Sequence, residues 1–443
     1  MVTRSVVLGR RSWRVAPAIA VSAALVLSGC GSSGSGSSGG VQTITFWDSN
    51  ANTQQTGAWK QVIAAFEAAN PKIKVKYVAF PISQSQQKFD TAIASGATPD
   101  VGLLSTSLIA DIAGQNAVIP LDDLYAKSPI AGHVSDKLVK LVKDSGPGGK
   151  LFELPQTTNA ATIWYRTDWF KEKGLQPPTT WDNFYAAAAK LTDSGSNKFG
   201  FTIRGGAGSI AQVMDAIYAQ SGISAFWGPD GKSTINDPKN VAALEKIAAL
   251  YKKDTPSADV NNDYLKMTAE FDGGGIGMMQ HNLGSYPDHI KGLGEGKFAG
   301  VSMPPSPTGA YNLVAGWTGG LGIFKNTKHK DAAWKFTEFT SSQQGDTIWN
   351  KVVGQIPANT DSQGEAWVQQ NQSLANAIKV LGLPNTTIVS TPTYLPEYSS
   401  ITKAETEPLW QKVLLGQTTA KSFLDTLAQK LNDAQAKYKA RGK

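Results

Sequence analysis

Two short clusters of side chains in this 443-residue chain are placed to bind. Trp47-Asp48 closes the alternating segment that begins at Val41, and Ser105-Thr106-Ser107 follows the apolar run Val101 to Leu104. Both runs read as strands. In open α/β sheets the ligand crevice lies beyond the carboxyl ends of the strands, so a ring, a carboxylate and three hydroxyls that donate and accept would make a polar binding surface there. The alternatives are that Trp47 packs in a core and that the hydroxyls cap a helix. Reactive patterns are missing. After no strand does a Gly-x-Ser-x-Gly elbow appear, and there is no His-Glu-x-x-His, Walker A loop or Cys-x-x-Cys. Ser85-Gln86-Gln87-Lys88 has the Ser-x-x-Lys spacing but no Lys-Thr-Gly partner, and reads as a solvated helix turn. His133, His281, His289 and His329 are scattered without metal spacing, so no metal and no cofactor is assigned.

The elements that must position these clusters alternate. With 41% apolar and 17% charged residues the chain is an ordinary globular one, and its length exceeds the roughly 250–300 residues at which a single core stops growing. Two lobes are expected. Trp59, Val62, Ile63 and Phe66 fall at i, i+3, i+4 and i+7 of a helix that Asn70-Pro71 ends. Ile73, Val75 and Tyr77 then alternate with three lysines as a strand with one wet face, and residues 83–95 form a second amphipathic helix before Val101. That is βαβαβ. The alternation returns after residue 160: Thr180 caps a helix, Phe199 to Ile203 is a strand, and Asp237-Pro238 opens another helix as cap and first residue. Gly275 to Met279, Gly300 to Met303 and Leu321 to Phe324 read as strands; from about 331 the chain reads as mostly helical, ending in a helix over 418–437. The fold class is α/β.

The first 30 residues read as an address. Arg4, Arg10, Arg11 and Arg14 precede the apolar stretch Val15 to Leu27, the pattern of a secretory signal, and removing those four cations from the formal +7 leaves +3 spread over the rest. Nucleic-acid binding loses its support in composition. Leu27-Ser28-Gly29-Cys30 resembles the lipobox of bacterial lipoproteins, which implies acylation of Cys30, the one cysteine in the chain, and a lipid anchor at residue 30. Gly31 to Gly40 are all Gly or Ser and read as a tether reaching roughly 17 Å.

Several local patterns recur in order: Thr45-Phe46-Trp47-Asp48, Ala94-Ser95-Gly96-Ala97-Thr98-Pro99-Asp100-Val101, Leu154-Pro155, Trp164-Tyr165-Arg166-Thr167-Asp168, Phe271-Asp272-Gly273-Gly274-Gly275, and Gly354-Gln355-Ile356-Pro357-Ala358. Together they resemble the carbohydrate-binding extracellular solute-binding proteins of ABC importers, the maltose-binding-protein-like group. The resemblance implies a two-lobed periplasmic-binding-protein fold whose lobes are joined by crossing hinge strands, the first holding 41–158 and 302–345, the second 159–301 and 346–443. Arg166 stands where the family more often has Asn. A sugar presents C–H faces and a ring of hydroxyls, so its cleft needs aromatic platforms and short polar groups. Matching the family's cleft loops adds Asn159, Arg204, Asn282, Trp317, Gln355, Tyr394 and, at a helix start, Gln84 to Trp47, Asp48, Ser105, Thr106 and Ser107. Trp59, Trp181, Trp227 and Trp334 are expected to be structural.

The expected function is a lipid-anchored receptor on the outer face of the bacterial cytoplasmic membrane, non-enzymatic, that captures a mono- or oligosaccharide and delivers it to an ABC permease. A secreted glycoside hydrolase, whose two carboxylates leave no signature, and a surface lipoprotein that contacts wall glycans are the alternatives. Among the matched cleft positions only Arg204 is cationic, which disfavours a phosphorylated ligand. Trp47→Ala is expected to weaken sugar affinity by about 1–3 kcal/mol, the scale of one aromatic contact at a binding hot spot, measured as a dissociation constant by calorimetry.

Overall fold

The computed structural model describes residues 40–315 and 318–440, so the signal segment, Cys30 and Trp317 lie outside the described residues. Eleven strands are described: β1 Gln42–Asp48, β2 Ile73–Ala79, β3 Val101–Ser105, β4 Leu154–Thr158, β5 Ala161–Arg166, β6 Met278–Asn282, β7 Phe298–Ser302, β8 Tyr311–Val314, β9 Thr318–Ile323, β10 Ile356–Pro357 and β11 Thr386–Val389. They form a six-stranded sheet in the order β10-β4-β9-β3-β1-β2, a three-stranded sheet β6-β5-β7 and a pair β11-β8.

The opening βαβαβ forms as its pattern predicts. Asn52 caps the Thr53–Ala69 helix by accepting from the Gln55 N–H at 2.9 Å, and Trp59, Val62 and Phe66 line its buried face. Asn70 ends it, and β2 then lies parallel to β1 from Gln42 opposite Ile73 to Asp48 opposite Ala79. In the second half, Thr180 and Asp237 cap their helices by accepting from Asn183 and Lys239 N–H groups. The expected strand 199–203 makes only isolated bridges, because the Phe201 N–H donates to the Asp254 carbonyl and the Ile203 N–H to the Asp259 carboxylate. Gly275 and Gly277 spend their backbone bonds on Phe199, which moves the neighbouring strand on to β6.

Two layers of core hold the molecule. In the first, Phe46 of β1 packs edge-on against Trp59 at 4.6 Å and Phe336 at 5.3 Å, and Trp59 meets Trp349 at 4.5 Å. The six-stranded sheet carries this core on one face; on the other lies a smaller cluster of Phe80, Phe89, Leu104, Phe152 and Phe324. The second layer groups Phe184, Tyr218, Trp410, Phe423 and Leu427, with Trp164, Phe271 and Leu374 in an adjoining cluster.

Core membership shifts the expected lobe segments. Trp349, Val353 and Ala358 belong to the first core and β10 to its sheet, although they lie beyond residue 345. Met303, Leu313 and Val314 belong to the other clusters, although they lie after 302. The reason is β9: it is this strand, seated between β3 and β4, that returns the chain to the first sheet.

Candidate functional site

A cleft of about 1640 Å³ runs between the two layers. One wall comes from segments on the six-stranded sheet: Ser83 and Gln86 near the start of the Ser85–Ser95 helix, Asp90 further along it, Ser107 after β3, Asp111 and Gln115 beyond, and Asp144 with the turn Gly146 to Gly148. The opposite wall comes from Gly208 to Met214, from Thr393 to Lys403, and from Gln435, Tyr438 and Lys439 near the end of the Ala420–Ala440 helix. Such a volume exceeds the roughly 300–1,000 Å³ of ordinary small-molecule pockets. It has room for more than one sugar ring.

The two walls differ in charge. On the first, the Gln86 amide donates to both Asp90 and Asp111, at 3.1 and 2.6 Å, and the Gln115 amide does the same at 3.1 and 2.9 Å. These four, spaced i, i+4 on each of two segments, form one polar plate beside Asp144. The second wall carries Lys403 and Lys439 and three tyrosines, Tyr394, Tyr398 and Tyr438. The Thr393 hydroxyl donates to the Thr106 carbonyl at 2.8 Å, a hydrogen bond between segments of the two walls.

Of the sequence-predicted residues, Ser107 and Tyr394 line this cleft, and Gln84, exposed, sits between Ser83 and Ser85 on its rim. Ser105 is buried behind Ser107, their hydroxyls 2.8 Å apart, and Thr106 contributes its carbonyl. The other described positions do not line it. Trp47 is half-buried, its ring against Phe80 at 5.5 Å and Phe89 at 5.7 Å. Asp48 is fully buried and accepts from the Tyr77 hydroxyl at 2.6 Å and the Asn50 N–H at 3.1 Å; burial raises its pKa against those two bonds. Asn282 spends its side chain on the Gly284 N–H, and Gln355 is buried and accepts from the Thr157 hydroxyl at 3.0 Å. Asn159 sits at the crossover between β4 and β5, its Oδ1 buried and without a partner, beside a small cavity of about 20 Å³. Arg166, the departure from the family pattern, closes β5 by a two-pronged pair with Asp168 at 2.9 and 2.6 Å.

Arg204 stands next to the second wall. Its Nε donates to the Ala207 carbonyl at 2.6 Å; burial pulls its pKa down, while Glu407 and Asp263 push it back up. The backbone that carries it is pinned by a buried polar knot. Asp259 accepts from the Ile203 N–H at 2.7 Å and the Asn262 amide at 2.8 Å, and that amide also reaches Glu270 at 2.7 Å. Gly205 and Gly206 donate their N–H groups to the Asp259 and Asn262 carbonyls. Among the described residues no group of three His, Cys, Asp or Glu is placed to hold a metal ion, and no helix is long and apolar enough to cross a membrane.

The wall residues that sequence reasoning missed are Gln86, Asp90, Asp111, Gln115, Tyr398, Gln435 and Tyr438. The i, i+4 spacing of Gln86 with Asp90 and of Asp111 with Gln115 was visible; that the segments face one another was not.

The chain matches the family described as bacterial extracellular solute-binding protein over residues 50–347. It is 27% identical over 361 residues, 79% of this chain and 80% of the relative, to the putative ABC transporter periplasmic-binding protein YcjN of Escherichia coli K12. To the sn-glycerol-3-phosphate-binding periplasmic protein UgpB of the same strain it is 24% identical over 431 residues, 91% of this chain and 94% of the relative. Its fold is similar to that of the sugar-binding protein MalE from Xanthomonas citri, with a TM-score of 0.76 at 21% identity over 90% of this chain and 98% of that one. The fold is therefore the two-lobed one of periplasmic binding proteins.

The knot beneath Arg204 yields a pH test. Burial, aided by Glu270, pushes the Asp259 carboxyl from 3.8 up to about 8 against its hydrogen bonds. Unfolded, the group ionises near 3.8; folded, it holds its proton to about pH 8, so its contribution to stability falls as pH rises through that window. The melting temperature of wild type minus that of Asp259→Asn is expected to decrease from pH 4 to pH 8, measured by scanning calorimetry; a flat difference would remove the assigned titration.

Proposed function

We propose that this chain, which belongs to the bacterial extracellular solute-binding proteins, captures a neutral saccharide in its interlobe cleft and passes it to an ABC permease. The observation that carries the reading is the cleft itself: a long space with tyrosine rings on one wall and a plate of amides and carboxylates on the other. Rings meet the C–H faces of a sugar, and groups that donate and accept in pairs meet its hydroxyls. Three carboxylates on the first wall oppose an anionic ligand, in keeping with the scarcity of cations among the matched positions.

The lobes are taken as 41–158 with 318–365 and 159–315 with 366–440, following core and sheet membership. Hinge closure of one on the other would bury the ligand on both sides. The reading keeps Ser107, Tyr394 and Arg204 as ligand contacts, with Trp317 and Asn159 as contacts from the crossovers. Acylation at Cys30 and the Gly/Ser tether would hold the receptor at the outer face of the cytoplasmic membrane, beside its permease.

Calorimetric titration with glucose, maltotriose, cellotriose, D-mannitol and sn-glycerol 3-phosphate tests the reading. A saccharide is expected to bind in the micromolar range, about −8 kcal/mol, and to be recovered unhydrolysed. Turnover of a glycoside would make the protein a hydrolase, and glycerol 3-phosphate as the one binder would overturn the neutral-ligand assignment. For the anchor, Cys30→Ser expressed in a bacterial host is expected to shift the protein from the membrane to the soluble fraction and to end incorporation of a labelled fatty acid. Membrane retention of that variant would remove the anchor.

A further inference from the structure

Behind the second wall stands a residue that does not line the cleft but is hydrogen-bonded to one that does. Trp227 lies on the hairpin Phe226–Ile235, closed by bonds from the Gly228 N–H to the Lys232 carbonyl and from Gly231 to Gly228. Asn432 ties this hairpin to the Ala420–Ala440 helix by accepting from the Ser233 N–H at 2.8 Å. From the hairpin the indole Nε1 donates to the Tyr394 hydroxyl at 3.1 Å, and that hydroxyl donates in turn to Gln435 Oε1 at 2.8 Å. The Tyr394 ring rests against Tyr438 at 5.1 Å with 55° between the planes. Tyr394, Gln435 and Tyr438 line the cleft; Trp227 stands half-buried behind them.

We propose that Trp227 is a positioning residue that, with Gln435, occupies the hydroxyl of Tyr394, so that Tyr394 meets the ligand through its ring face and selects a cyclic saccharide over an open-chain polyol. This rests on the saccharide reading above and goes beyond it in naming the device and the preference. An indole N–H can only donate, so it fixes which lone pair of the hydroxyl is taken, and Gln435 takes the proton. Burial raises the Tyr394 pKa above its ordinary value, which keeps that proton in place. With its one donor used, Tyr394 has none to give a sugar. What remains is a ring set at a fixed angle to Tyr438, a corner that fits the rigid C–H face of a pyranose. A linear polyol has no such fixed face.

The test is calorimetry of the full chain with maltotriose, cellotriose and D-mannitol, for wild type, Trp227→Phe, Trp227→His, Tyr394→Phe and Tyr394→Ala, with melting temperatures alongside. Tyr394→Ala is expected to weaken the tighter trisaccharide at least about tenfold, whereas Tyr394→Phe keeps the ring and stays within about threefold. Trp227→Phe frees the lone pair that the indole holds, so a polyol hydroxyl can donate to Tyr394; it is expected to lower the preference for that trisaccharide over mannitol by about three- to tenfold, the size of one ordinary hydrogen bond, and Trp227→His, which keeps a ring N–H, to restore it. Trp227→Phe with wild-type affinity and preference, or Tyr394→Phe as damaging as Tyr394→Ala, overturns this inference alone. A wild-type protein that binds neither trisaccharide overturns the saccharide reading and this one with it.

Discussion

The close approach of β9 to its neighbours is the constraint on which the architecture rests. A Cβ at Gly320 would lie 2.2 Å from the Leu154 carbonyl oxygen, and one at Gly322 would lie 2.4 Å from Leu104 and 2.8 Å from the Phe152 carbonyl. Only glycine lets the strand sit this deep between β3 and β4, with which it pairs antiparallel on both sides. The pairing has a bulge between Pro155 and Thr157, so β4 bends just before the crossover at Asn159. Crossover and return are thus built side by side in one sheet. Because β9 enters there, the segments that follow it, with Trp349 and Ala358, complete the first core, and the chain leaves again only after β10.

That arrangement decides what faces the cleft. Apart from Asp144 and the turn after it, the first wall is made of loops and helices that leave the carboxyl ends of β2 and β3, as expected for an open α/β sheet. The opposite wall is composite: its tyrosines come from the last 50 residues and its Gly208–Met214 face from the middle of the chain. Segments so distant in sequence meet because Trp410 gives its indole N–H to the Arg204 carbonyl and Glu407 accepts from the Gly208 N–H. Buried polar groups of this kind cost stability unless paired, and here the pairing is also what sets the position of the wall. Closure would then bring a wall rich in carboxylates toward one that bears two lysines, an attraction that weakens with salt.

How much could be read in advance depended on the range of the interaction. The Thr53–Ala69 helix, its Asn-Pro ending, the caps at Thr180 and Asp237 and the alternation of β1 and β2 follow from contacts within a few residues. Short strands did not carry a period long enough to register: β4, β8, β10 and β11 have two to five residues each. The 199–203 segment shows the opposite failure, an apolar run whose N–H groups are claimed by Asp254 and Asp259 from elsewhere in the chain. Among the residues that line the cleft, Ser107 and Tyr394 were named from the sequence through a place after a strand and a family pattern. Asp48, Asn282 and Gln355 occupy equally suggestive positions, but their side chains are taken up by Tyr77, Gly284 and Thr157.

By itself the sequence determined the class of fold, the order of its opening elements and the membership suggested by patterns strung along the chain. These rest on local periodicity and on spacing, which a linear reading preserves. The tertiary structure alone decided which polar side chains remain free to meet a ligand. A hydroxyl or carboxylate is spent or available according to partners tens or hundreds of residues away, as the Thr393 hydroxyl on the Thr106 carbonyl and the Trp227 indole on Tyr394 make plain. Hydrogen bonds act over about 3 Å in space and carry no trace of that distance in the order of residues.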